Sequence, residues 1–197
     1  MIAQRGGILD AEMPSPCPPT ALRLFFALWP GAALRRQLSA HAALWRFAPP
    51  ARVTRAEQLH LTLLFMDGVA PGAVDALCAI GAAVAARTPR FALTLDAARV
   101  WPGGGIAHLA PCQPPPPLLA LHAALRDAVS AAALPCDRRA FSAHVTLARR
   151  AGAAAAPSAF APLQWDATRL SLVQSRLGEG RYELRASWAL GAPPVER

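Results

Sequence analysis

The chain has 197 residues, 54% of them apolar and only 16% charged, which suits one compact domain or two small lobes sharing a core and excludes a disordered, charge-rich chain. Its formal charge of +8 invites a polyanionic partner, because clustered cations gain affinity by releasing counterions from phosphates. Every basic residue is Arg, and Lys and Asn are absent beside abundant Ala and Pro, a composition that GC-rich coding pressure also produces. Cys17, Cys78, Cys112 and Cys136 have neither a CxxC spacing nor a neighbouring His cluster, so no metal or cofactor is expected. No apolar run has the form of a signal peptide or a membrane span, since Arg23 and Pro30 interrupt Leu22 to Leu34. A soluble, cytoplasmic monomer is expected.

Residues 1–20 read as a flexible leader and 193–197 as a tail, around a single two-lobed domain over 21–192. Leu22 to Trp29 (LRLFFALW) suits a buried strand. Pro30 then stands in the first turn of a helix to about Phe47, where Leu34, Leu38, His41, Leu44 and Trp45 recur at three- and four-residue steps. A loop leads to a strand at 60–65 (HLTLLF), and Pro71 opens a helix that RTPR ends at 87–90. Strands over 91–101 and 105–111, joined by PGGG, form an expected hairpin. The proline run at 111–117 is a rigid connector that starts a helix from Leu118 to about Ala133. HVTLAR at 144–149 is another strand, and the last two, near 165–175 and 182–190, flank the turn LGEGR.

The informative repeat is HLTL (His60, Leu61, Thr62, Leu63) and HVTL (His144, Val145, Thr146, Leu147), one copy in each half. That two of the five histidines should precede xTL by accident has odds of roughly 1 in 4000. In a strand, each motif turns an imidazole and a hydroxyl to one face and two aliphatic side chains to the other. If the halves are related by a pseudo-twofold axis, the two His–Thr faces meet across a groove. Paired imidazoles suit an in-line displacement at phosphorus, where one takes a proton from the nucleophile and the other protonates the departing oxygen. The threonine hydroxyls can donate to non-bridging phosphate oxygens. Nearly identical motifs cannot say which histidine is the acid.

With these motifs the chain resembles the two-histidine (2H) phosphoesterase superfamily, and within it the bacterial RNA 2′,3′-cyclic phosphodiesterases, also called 2′-5′ RNA ligases or LigT-like proteins. RLFFAL, FALTLDAARVWP, RAFSAHVTLAR and the terminal LVQSRLGEGRYELRASWAL extend the likeness over Leu22 to Leu190. The resemblance implies an α+β fold of two pseudo-symmetric lobes, each an antiparallel sheet with outer helices, around a central cleft. It implies metal-independent hydrolysis of RNA 2′,3′-cyclic phosphate ends to 2′-phosphate ends, with His60 as proton donor, His144 as proton acceptor, and Thr62 and Thr146 holding the phosphate. The alternatives are a small substrate, such as a cyclic nucleotide, ADP-ribose cyclic phosphate or a 2′-5′ oligonucleotide, or a non-catalytic RNA-end-binding or RNA-joining role.

Other residues have a plain structural reading beside the functional one. His41 and His122 read as helix-surface or packing residues, and His108, where the family often has an aromatic, as a half-exposed strand histidine that could line the cleft. Strict alternation sends Arg149 to the face opposite His144, so it reaches a phosphate only if the strand bends or ends there. Arg138 and Arg139 could meet RNA backbone oxygens. Phe141 either stacks on a terminal base or anchors its loop, and Tyr182 packs near the C-terminal hairpin.

Overall fold

The apolar run at 22–28 becomes β1, fully enclosed from Leu24 onwards, and in the computed structural model the rest of the sheet grows outward from it. Residues 21–101, 103–176 and 181–191 are described, so the expected leader, the tail, Pro102 of the PGGG turn and the first four residues of the LGEGR turn lie outside the described residues. In chain order the elements are β1 (Leu22–Leu28), α1 (Ala32–Ala42), β2 (Arg52–Val53), β3 (Leu61–Val69), α2 (Val74–Arg87), β4 (Phe91–Leu95), β5 (Ala97–Trp101), β6 (Ile106–Ala110), α3 (Pro116–Ala131), β7 (Val145–Arg149), β8 (Leu163–Ala167), β9 (Arg169–Arg176) and β10 (Arg181–Ala189).

Eight strands form one antiparallel sheet in the order β10-β9-β1-β3-β7-β6-β5, with β2 added beside β7. Its first four strands make one lobe and the others the second. The lobes join where Leu61 of β3 pairs with Val145 of β7. One face of this sheet carries Leu24, Phe26, Leu28, Leu61, Leu147 and Leu172 into a core shared with Leu77 and Val84 of α2 and Leu121 and Leu125 of α3. Each such burial is worth about 1.5–3 kcal/mol, so most of the stability rests on the helix-covered face, while the opposite face carries a smaller apolar cluster around Phe25, Ala27 and Val173 beside its polar groups. Helix α2 comes close to the sheet at Gly81, where an added Cβ would overlap the Trp188 ring of β10.

Two expected strands break in the same way. The run 91–101 divides at Asp96 and the run 165–175 at Thr168, and the two leading halves, β4 and β8, leave the main sheet to pair with each other. Asp96 fixes the first break, since its N–H donates to the Ala110 carbonyl at 3.1 Å and its carboxylate accepts from the Cys112 N–H at 2.6 Å. Helix α1 also stops five residues before Phe47, and Arg46 instead pairs with Ala155 across an isolated bridge. Among the described residues no helix is long and apolar enough to cross a membrane.

Candidate active site

The seam between the lobes brings the two HxT motifs side by side. Leu61 and Val145, the second residue of each motif, are paired and fully buried, so the flanking residues rise from the same, opposite face of one continuous sheet. Continuing that antiparallel register sets His60 across from Thr146 and Thr62 across from His144. The pseudo-twofold expected from sequence thus passes through the Leu61–Val145 pair, and the cleft is the open face above the seam.

Both strands then bulge immediately after the threonine. On β3 the pairing with β1 jumps from Ala27–Thr62 to Phe26–Leu64, leaving Leu63 extra. On β7 the pairing with β6 jumps from His108–Thr146 to Ala107–Ala148, leaving Leu147 extra. Leu63 and Leu64 are both buried, as are Leu147 and Ala148. A bulge shifts the alternation by one residue, so Phe65 and Arg149 return to the cleft face, where both line its cavities. This is why Arg149 faces the cleft although strict alternation directs it away.

Each catalytic candidate is held by the backbone two residues before it. His60 Nδ1 donates to the Gln58 carbonyl at 2.6 Å and His144 Nδ1 to the Ser142 carbonyl at 2.7 Å. A carbonyl only accepts, so the proton of the neutral ring sits on Nδ1 and the Nε2 lone pair is left for chemistry. In the first motif the Thr62 hydroxyl donates to that Nε2 at 3.1 Å.

Around this shared frame the surroundings differ. The His60 ring stacks on Phe25 (centroids 4.9 Å) and Trp29 (5.0 Å) and meets the edge of Tyr182 (5.2 Å). His144 instead sits against Trp101 (4.5 Å) and His108 (5.5 Å). Burial is the main cause that lowers the His60 pKa to about 4, aided by the charges of Arg149 and His144 and opposed by the bond to Gln58. His144 is also lowered, by burial first and then by His108 and Arg149, against the raising bond to Ser142.

Two cavities sharing Arg149 open over the pair. One, of about 530 Å³, includes His60, Thr146, Arg52, Arg55 and Tyr182 in its walls. The other, of about 510 Å³, includes His144, Thr62, Arg139, Phe141 and Trp101. Each therefore holds the histidine of one motif and the threonine of the other.

The remaining sequence candidates divide. His108 is not half-exposed but buried, 2% accessible, on the cleft face, and burial lowers its pKa, with Arg99 adding to the effect. His41 is buried against Phe160. His122 donates from Nδ1 to the Leu63 carbonyl at 2.8 Å, tying α3 to the first bulge, and stacks on Phe141 at 4.2 Å. Phe141 thus packs on His122 and also lines the cleft. Arg139 reaches the cavity wall but is paired with Asp137, while Arg138 lines a separate cavity beside Asp137 and Cys136. Tyr182 does more than pack at the hairpin, since it touches His60. Trp29, Trp101, Arg52 and Arg55 carried no signal in sequence, because they come from three separate segments that only the tertiary fold brings to the cleft.

Comparison with known proteins fits this geometry. The family model described as the 2′-5′ RNA ligase superfamily matches residues 32–179. The RNA 2′,3′-cyclic phosphodiesterase of Escherichia coli (strain K12) is 34% identical over 175 residues, covering 85% of this chain and 96% of that protein. Among solved structures, E. coli LigT in apo form superposes with a TM-score of 0.73 at 31% identity, covering 87% of this chain and 98% of its own. E. coli LigT complexed with 3′-AMP matches with the same TM-score of 0.73 at 31% identity, covering 87% of this chain and 99% of its own. A Thermus thermophilus protein, TT0787, matches with a TM-score of 0.72 at 25% identity, covering 86% of this chain and 98% of its own.

Proposed function

The chain belongs to the 2′-5′ RNA ligase superfamily, the two-histidine phosphoesterases, and is a cyclic phosphodiesterase; from that premise we propose that it opens RNA 2′,3′-cyclic phosphate ends to 2′-phosphate ends. The activity in the name of the E. coli relative supports the RNA end as substrate. The observation that carries the mechanism is the pairing of two Nδ1-anchored imidazoles on one sheet face, each across from the other motif's threonine.

In this mechanism the phosphate lies over the seam, with its non-bridging oxygens at Thr62, Thr146 and Arg149. His144 Nε2 takes a proton from water as the water oxygen bonds to phosphorus. The P–O3′ bond breaks on the opposite side, and His60 Nε2–H protonates the departing 3′ oxygen, leaving a 2′-phosphate and a 3′-hydroxyl. Burial makes protonated His60 a strong acid, and the bound phosphate anion offsets the cost of charging it. Thr62 must turn its hydroxyl from Nε2 to the phosphate, which frees that nitrogen for the proton. No step requires a metal ion.

Incubation of the purified protein with a labelled oligonucleotide ending in a 2′,3′-cyclic phosphate, in excess chelator, tests the proposal. A 2′-phosphate end is the expected product. Uncleaved substrate, a 3′-phosphate product or a strict need for a divalent ion would each refute it.

A further inference from the structure

A larger cavity lies outside the mechanism above. It measures about 750 Å³ and shares Arg55, Gln58 and Tyr182 with the cavity that holds His60 and Thr146. We propose that it is the subsite for the nucleotide on the 5′ side of the cyclic end, with the phosphodiester at Arg35 and Arg169 and the base against Trp29. This inference rests on the RNA-end activity proposed above.

Charge, shape and continuity support that occupant. Arg35, Arg55, Arg169 and Arg181 line the cavity with, among the described residues, a single carboxylate, Glu57, which lies 3.4 Å from Arg55. Among the described residues Arg35, Arg169 and Arg181 form no ion pair, and Arg169 donates to the Ser187 hydroxyl at 3.2 Å. On the His144 side, by contrast, Arg23 and Arg139 face Asp67 and Asp137. An RNA strand leaving the scissile phosphate therefore finds uncompensated positive charge in one direction and compensated charge in the other.

Trp29 separates the two sites. Its indole is nearly parallel to the His60 ring, at 9°, and the same side chain lines the large cavity. Val173 and Leu184 add apolar wall, and Ser171 and Ser187 add hydroxyls. Aromatic faces for bases and arginines for the backbone are how single-stranded RNA is gripped. A free phosphate would fill only a small part of this volume.

The test compares kcat/KM for a mononucleoside 2′,3′-cyclic phosphate and for a trinucleotide ending in one. The wild type should favour the trinucleotide. Arg35→Gln and Arg169→Gln should each lower trinucleotide kcat/KM about tenfold, as expected for losing a charged hydrogen bond, and leave the mononucleotide value unchanged. The inference falls if the preference is absent in the wild type, if it survives the double variant, or if both substrates lose equally. In those cases hydrolysis of the mononucleotide still stands, whereas a wild type that cleaves neither substrate overturns the activity itself and the subsite with it.

Discussion

The two halves of the cleft share a backbone and differ in what surrounds it. In both, a histidine anchored to the carbonyl two residues back precedes a buried residue, a cleft-facing threonine and a bulge. Yet His60 lies among Phe25, Trp29 and Tyr182, while His144 lies beside Trp101 and His108. The bulge delivers an aromatic in one half, Phe65, and a cation in the other, Arg149. The repeat therefore fixes where the two imidazoles stand, and their non-equivalent neighbours fix how each holds a proton.

Removing the imidazoles should have the largest effect. His60→Ala and His144→Ala should each lower kcat by at least about a hundredfold, with the double variant little worse than the poorer single, because groups acting as a unit are not additive. The halves can then be told apart with an aryl phosphodiester, whose leaving group needs no proton. His60→Ala should retain much of its activity on that substrate and His144→Ala should not. Rescue of His144→Ala alone would reverse the two roles.

The pH profile should follow at smaller scale. On the proposed roles the base must be neutral, a state lost as pH falls through the lowered pKa of His144, and the acid must be charged, a state lost as pH rises through the His60 value of about 4. The kcat/KM optimum should therefore lie below the ordinary histidine value of about 6.5. The kcat profile, which reports the complex, should sit at higher pH because bound phosphate raises both groups. An optimum above neutrality in kcat/KM would contradict the burial of the pair. Linkage has the same origin: unfolded His60 binds its proton near 6.5 and folded His60 near 4, so stability present above that window is lost as pH falls through it.

Arg149 and Phe65 test whether equivalent positions have separate jobs. Arg149→Ala should lower kcat/KM by about tenfold or more, through a lost charged hydrogen bond to phosphate. Phe65 stacks with Phe25 at 6.5 Å and lies under the Arg23 guanidinium at 4.9 Å. Phe65→Ala should leave kcat within about threefold and instead lower stability, by about 1–3 kcal/mol for a half-buried ring. Denaturant titration beside the kinetics separates the two outcomes.

Much of this was legible in the residues. Alternation placed His60, Thr62, His144 and Thr146 on one face of their strands, and the repeat marked them as a pair. The bulges also left a signal, since Leu63-Leu64 and Leu147-Ala148 break the period of two. That signal becomes a bulge only once β1 and β6 are known as partners, and partner choice is non-local. For the same reason 91–101 reads as one strand, because nothing local in FALTLDAARVW says that its two halves join different sheets. The aromatic wall of His60 joins Phe25 and Trp29 of one run to Tyr182 near the other end of the chain, so no local spacing announces it.

His108 is the subtlest difference between the halves. It pairs with Thr146 across the ladder, is buried on the cleft face, and meets the His144 ring at a centroid distance of 5.5 Å. The charge of His108 lowers the His144 pKa, and burial lowers both groups. Removing His108 should therefore raise the pKa of His144. Among the described residues no second imidazole packs against the His60 ring, which meets Phe25, Trp29 and Tyr182 instead. His108→Phe removes the second charge while refilling the space against Trp101. The pH dependence of kcat/KM that reports His144 should move to higher pH, and kcat at neutral pH, where His108 is uncharged, should barely change. A profile that stays in place in His108→Phe, or that moves down, would mean that His108 only packs.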